Sequence, residues 1–137
     1  MMLGRLMRFW RLKNAAALVR GRLEQFAAAH SNDPAWARFP RGCGRGASEL
    51  LGRYLIEHGH SNVRHVFGSI NGLTHAWVSV SGIIVDITAD QYGLPPVIVT
   101  KRSQFHSEWE NEGSQPICEP SGWGSYPHAI WQAINQN

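Results

Sequence analysis

The sequence predicts an α+β domain in which helices come first and a small antiparallel sheet follows. Three observations carry this. Apolar residues recur with a period of 3.6 before residue 58 and with a period of 2 after the polar run His58-Gly59-His60-Ser61-Asn62. The glycine-dense passage Arg41-Gly42-Cys43-Gly44-Arg45-Gly46 opens directly into a helical pattern. The chain has 137 residues, 43% of them hydrophobic, which is the material of one core. The expected organisation is therefore a single domain over 1–137, with an N-terminal helical segment over 1–30, a core over 39–100 and a C-terminal loop and short helix over 101–137.

From Leu3 to about Ala29 the pattern is helical, with Leu3, Leu6, Met7 and Trp10 on one stripe and Arg5, Arg8 and Arg11 drifting round the other face. Gly21 is a candidate break within it, and Ser31-Asn32-Asp33-Pro34 supplies turn chemistry at its end. In the second helix Ala47, Leu50, Leu51, Tyr54 and Leu55 keep i, i+3, i+4, i+7 spacing, which places Cys43 at or just before its N-terminus. Val63–Phe67, Thr74–Val80, Ile83–Thr88 and Pro96–Thr100 then read as strands, and Tyr126–Ile134 as a short last helix.

Composition narrows the function classes. Six Trp, five Phe and three Tyr are too much core material for a disordered chain. No run of 18 apolar residues exists, so no spanning helix is expected. Thirteen Lys and Arg against ten Asp and Glu leave a net charge of +3, concentrated in Arg5, Arg8, Arg11, Lys13, Arg20 and Arg22. A solvated helix face is the expected reading of that run, with contact to a membrane surface as its alternative. Nucleic acid is not an expected partner, because no aromatic residues interleave a basic patch. Cys43 and Cys118 are read as free thiols rather than a disulfide framework. The apolar run Ala15–Val19 is shorter than a signal peptide needs, and the bacterial cytoplasm is the expected compartment. Oligomeric state is left open.

The residues that carry chemistry are Cys43, His75 and Asp86. A thiol at a helix N-terminus meets unpaired N–H groups and the positive end of the helix dipole, both of which favour thiolate. The same N–H groups could hold an oxyanion, with Gly42 backbone and Asn71 as further donors. Hairpin parity joins the other two. With a two-residue turn at Ser81-Gly82, Val80 faces Ile83, Trp77 faces Asp86 and His75 faces Thr88. His75 and Asp86 are then diagonal neighbours on one face, with Cα atoms roughly 7 to 8 Å apart. Asp90, four residues on, is the rival acid. In a cysteine triad the His takes the thiol proton and later protonates the leaving amine, while the acid holds the imidazole's tautomer.

These motifs, Gly42-Cys43 with Ala47, His75-Ala76-Trp77-Val78 and Asp86-Ile87-Thr88, resemble the core of the transglutaminase-like branch of papain-fold cysteine enzymes. The resemblance covers about Phe39 to Gln91. It implies a nucleophile-bearing helix packed on an antiparallel sheet, with Cys43 as nucleophile, His75 as base and Asp86 as orienter. Ser79 and Ile87 stand where that family often has an acid and a proline. The implied activity is hydrolysis of a peptide or protein amide through a thioester, by a peptidase, amidase or deamidase. Two alternatives stand beside it. One is a transamidase or acyltransferase with the same triad, in a cleft roofed by Trp77 or Trp123. The other is a non-enzymatic binding module retaining the fold.

No cofactor and no metal are expected. His58, His60 and His65 are loosely spaced and belong to a polar helix end rather than a zinc site. Cys118 and His106 have no visible partner and are read as incidental.

Overall fold

The computed structural model describes residues 2–119 and 125–136. Helix α1 (Met2–Ala29) is followed by α2 (Gly44–Glu57), then strands β1 (Val63–Ile70), β2 (Leu73–Val80) and β3 (Ile83–Asp86). A 3-10 turn over Ala89–Tyr92 leads to β4 (Ile98–Thr100), the short helix α3 (Gln104–Ser107), β5 (Glu110–Pro116) and α4 (Ser125–Ile134). The class is α+β, as expected. Among the described residues no helix is long and apolar enough to cross a membrane.

α1 is one continuous helix, and Gly21 does not break it. Its buried residues Leu12, Ala16, Val19, Leu23 and Phe26 repeat every three or four positions, and each large aliphatic one contributes about 1.5–3 kcal/mol of burial. The first turns behave differently. Leu3, Leu6, Met7 and Trp10 are exposed, Trp10 to 67%, so the stripe read from the sequence faces solvent and the core begins at Leu12. α2 buries the predicted Ala47, Leu50, Leu51, Tyr54 and Leu55.

The sheet is antiparallel throughout, in the order β4-β3-β2-β1-β5. Two-residue turns join the first three strands, Asn71-Gly72 and Ser81-Gly82, with positive φ at all four positions. That is the backbone whose twist matches a tight hairpin. The second turn sets Val80 against Ile83 and Val78 against Val85, the predicted register. Strand β5, in a stretch expected to be loop, pairs with β1 through a register shift at Phe67/Gly68. One face of the sheet, with Val63, Val78, Val80, Ile83 and Val85, packs under the helices. The other carries a smaller cluster of Val66, Trp77 and Trp109 with Tyr92 and Phe105 at its border.

Candidate functional site

Strand alternation puts His75 and Trp77 of β2 on the smaller face, opposite the valines that serve the main core. Asp86 comes onto that face from β3. Nε2 of His75 lies 2.7 Å from Oδ2 of Asp86, so the pair read from hairpin parity is assembled. Asp90, the rival acid, is committed elsewhere: it accepts from Nη1 and Nη2 of Arg20 on α1, at 2.7 and 2.8 Å.

Asp86 has a second histidine. Nε2 of His106 also lies 2.7 Å from Oδ2, and Oδ1 accepts from the Thr88 amide at 2.9 Å. Burial raises the Asp86 carboxyl, but the hydrogen bonds from His106, His75 and Thr88 outweigh it and hold the group below the usual carboxylate range. An ionised carboxylate only accepts, so each Nε2 must be the protonated nitrogen of its ring. His106 is then fully used, because its Nδ1 accepts from the Ser103 hydroxyl at 2.6 Å. His75 keeps a lone pair on Nδ1. Around its ring stand Trp77, Tyr92, Phe105 and Trp109, with centroids 5.3 to 5.9 Å away.

His106 is the residue that sequence reasoning set aside. Its one local signal is Ser103, three positions earlier, which caps α3 by accepting from the His106 amide. Nothing in that spacing points to Asp86. The donor atoms of His75, Asp86 and His106 lie within 4.8 Å of one another, close enough to be weighed as a cation site. Hydrogen bonds already account for each of them, and both imidazoles converge on a single carboxylate oxygen. Two of the histidines read as a polar helix end rather than a zinc site have separate partners: His58 bonds the Tyr54 carbonyl, and His65 lies against Ser48 and Glu49 of α2.

Cys43 is at the predicted place in the chain, as the residue capping α2, yet its side chain points elsewhere. Its thiol is directed at the carbonyls of Ala35, at 3.3 Å, and Arg41, at 3.5 Å, and the residue is 4% exposed within the main core. Burial, with the charge of Asp33 adding to it, pushes the thiol up to about 11. This is the opposite of the expected activation. The reason is geometric: the thiol faces the 33–41 loop instead of the open end of the helix, so desolvation dominates. The structure brings His75 and Asp86 together and gives Cys43 no hydrogen bond to either.

A cleft of about 370 Å³ is lined among others by Gly42, Gly44, Arg45, His75, Gln91 and Gln115, and the side chain of His75 is itself fully buried. Gln91 spans it, its Oε1 accepting from the Gly42 amide at 3.3 Å and its Nε2 reaching Nδ1 of His75 at 3.5 Å. The Gly42 amide, expected as an oxyanion donor, is turned to Gln91. Asn71 belongs to the β1–β2 turn and is not among the cleft's lining residues. Cys118 is a free, exposed thiol. Trp77 is buried against His106, and Trp123 lies outside the described residues. No protein-family model, curated protein or solved structure matches the chain.

Proposed function

We propose that this chain is a non-enzymatic binding module whose cleft takes an amide-bearing segment of a peptide or protein. The observation that carries this is the orientation of Cys43, whose thiol is turned to two backbone carbonyls and held protonated by burial. In the cleft wall the Gly42 amide is an N–H donor, and Nδ1 of His75, whose side chain is fully buried, is an acceptor that a ligand would reach by displacing Gln91. That pair is complementary to a primary carboxamide, and the side chain of Gln91 already spans it. A glutamine or asparagine side chain of a partner would compete for the same two groups.

The second reading is the cysteine hydrolase, or an acyltransferase with the same triad. It is favoured by the His75–Asp86 pair beside the start of α2 and by the resemblance to the transglutaminase-like enzymes. It requires Cys43 to leave its two carbonyls and turn to His75.

Thiol alkylation across pH 5 to 9 separates the two. Under the binding reading Cys43 labels slowly up to pH 8, and His75→Ala does not change its rate. Fast labelling well below the free-thiol value of about 8.5, slowed by His75→Ala, would overturn it in favour of the hydrolase. Titration with N-acetylglutamine amide tests binding directly. Shifts in the Gln91 side-chain amide signals are expected, and their absence at millimolar concentrations would remove the carboxamide as ligand.

A further inference from the structure

Leu3, Leu6, Met7 and Trp10 stand at i, i+3, i+4 and i+7 on α1, and each is more than half exposed. With successive residues turned by about 100°, the four share one face about 100° wide, opposite the buried Leu12, Ala16, Val19 and Leu23. Lys13 borders that face on one side and Arg11 on the other, both exposed, and Arg5 and Arg8 are exposed behind it. The first acid along the helix is Glu24, already bonded to Arg20. Beside Met7 a groove of about 330 Å³ runs between the helix and two turns of the chain, lined among others by Arg8, Arg11, His60, Ser61 and Ser81. Burial lowers the His60 imidazole, and the charges of Arg11, Arg8 and His58 lower it further, so the positive charge of the groove belongs to the two arginines.

We infer that this end of α1 lies in the surface of an anionic membrane, with its apolar face among the acyl chains and a lipid phosphate in the Arg8–Arg11 groove. The His75 cleft takes no part in this. A contiguous exposed apolar face marks an interaction site, and the charges around it select the occupant. Long cationic side chains at both borders run back from an apolar face to the phosphate plane. The indole of Trp10 suits the level where acyl chains meet headgroups. A second copy of the chain would instead set Arg5, Arg8, Arg11 and Lys13 against the same four cations, and like charges oppose that pairing. The helix lies on the membrane rather than across it, and no helix among the described residues is long and apolar enough to cross one.

The test is co-sedimentation of the full-length protein with vesicles at about 0.1 M salt, where charges act over roughly 10 Å. Vesicles of an equimolar mixture of phosphatidylglycerol and phosphatidylcholine should bind it at least about tenfold more tightly than phosphatidylcholine alone, since each cation near an anionic surface adds to binding. Arg8→Gln/Arg11→Gln and Leu6→Ser/Trp10→Ser should each weaken that binding at least about tenfold. Their urea transitions should match the natural chain's, because all four side chains are exposed. Equal binding to both vesicles, binding to neither, or binding that ignores either pair of substitutions overturns the membrane assignment. So does a dimer in analytical ultracentrifugation that Leu6→Ser/Trp10→Ser disperses, which gives the face to a second copy. If a variant fails to fold, the natural chain decides. Its binding to the anionic vesicles should weaken at least about tenfold at about 0.5 M salt, and salt-independent binding overturns the assignment.

Discussion

Asp86 accepts hydrogen bonds from His75, His106 and the Thr88 amide while only 1% exposed. Asp86→Asn keeps the shape but places an NH₂ against either the two ring N–H groups or the Thr88 amide, so a buried donor loses its acceptor in both orientations. The expected cost is about 2–3 kcal/mol, measured by urea denaturation at pH 7. The pH dependence has a definite sign. A carboxyl held below its unfolded value of about 3.9 contributes stability that is full above that value and is lost as pH falls through the folded one. Unfolding free energy should therefore fall below about pH 4, and less steeply in Asp86→Asn. At this scale half of the site is legible in the sequence. Parity in a two-residue hairpin is a binary property, so the pairing of His75 with Asp86 follows from counting. The direction of Cys43 depends on backbone angles of −108° and 4° just outside the helix, which no periodicity encodes.

Arg20 fastens α1 to the segment that carries Gln91. Its Nη1 donates to the Ile87 carbonyl at 2.8 Å and to Asp90, its Nη2 to Asp90 and its Nε to Glu24, with the guanidinium 4.8 Å over the Phe39 ring. Arg20→Met would leave Asp90 and a carbonyl unpaired, at a cost of about 3 kcal/mol in chemical denaturation. Arg20→Lys should recover less than half, because an ammonium cannot span the carboxylate from two nitrogens. α2 has a different constraint. A side chain on Gly52 would overlap Ile117, coming 2.7 Å from its Cγ1 as well as against its Cδ1. Gly52→Ala should cost about 1–3 kcal/mol, and Ile117→Ala in the same chain should relieve part of that loss, as a double-mutant cycle would read. The helical periods and four strands were readable, the first three because burial on one face imposes them. Strand β5 was not, since Glu110-Asn111-Glu112-Gly113-Ser114-Gln115 has no apolar alternation and is held by main-chain bonds to β1.

For the molecule as a whole, the core begins where the first helix has already made two turns. Residues 2–8 are all exposed, Met2 to 80% and Leu3 to 70%, while Phe9 packs at the border of the core. Removing residues 1–8 should leave the unfolding free energy within about 0.5 kcal/mol, by urea titration; a larger loss would show that these turns support the fold. A helical stripe and a core-facing stripe have the same period, which is why the sequence could not say where along α1 burial starts. The two borders of the sheet have a further consequence. On one side it ends in a strand of three residues, and on the other in β5, with two glutamates, a register shift, Gly113 at φ 140° and a terminal proline. Short, charged and interrupted edges are poor templates for strand addition. Concentrated native protein is therefore not expected to seed fibrils from either side of its sheet.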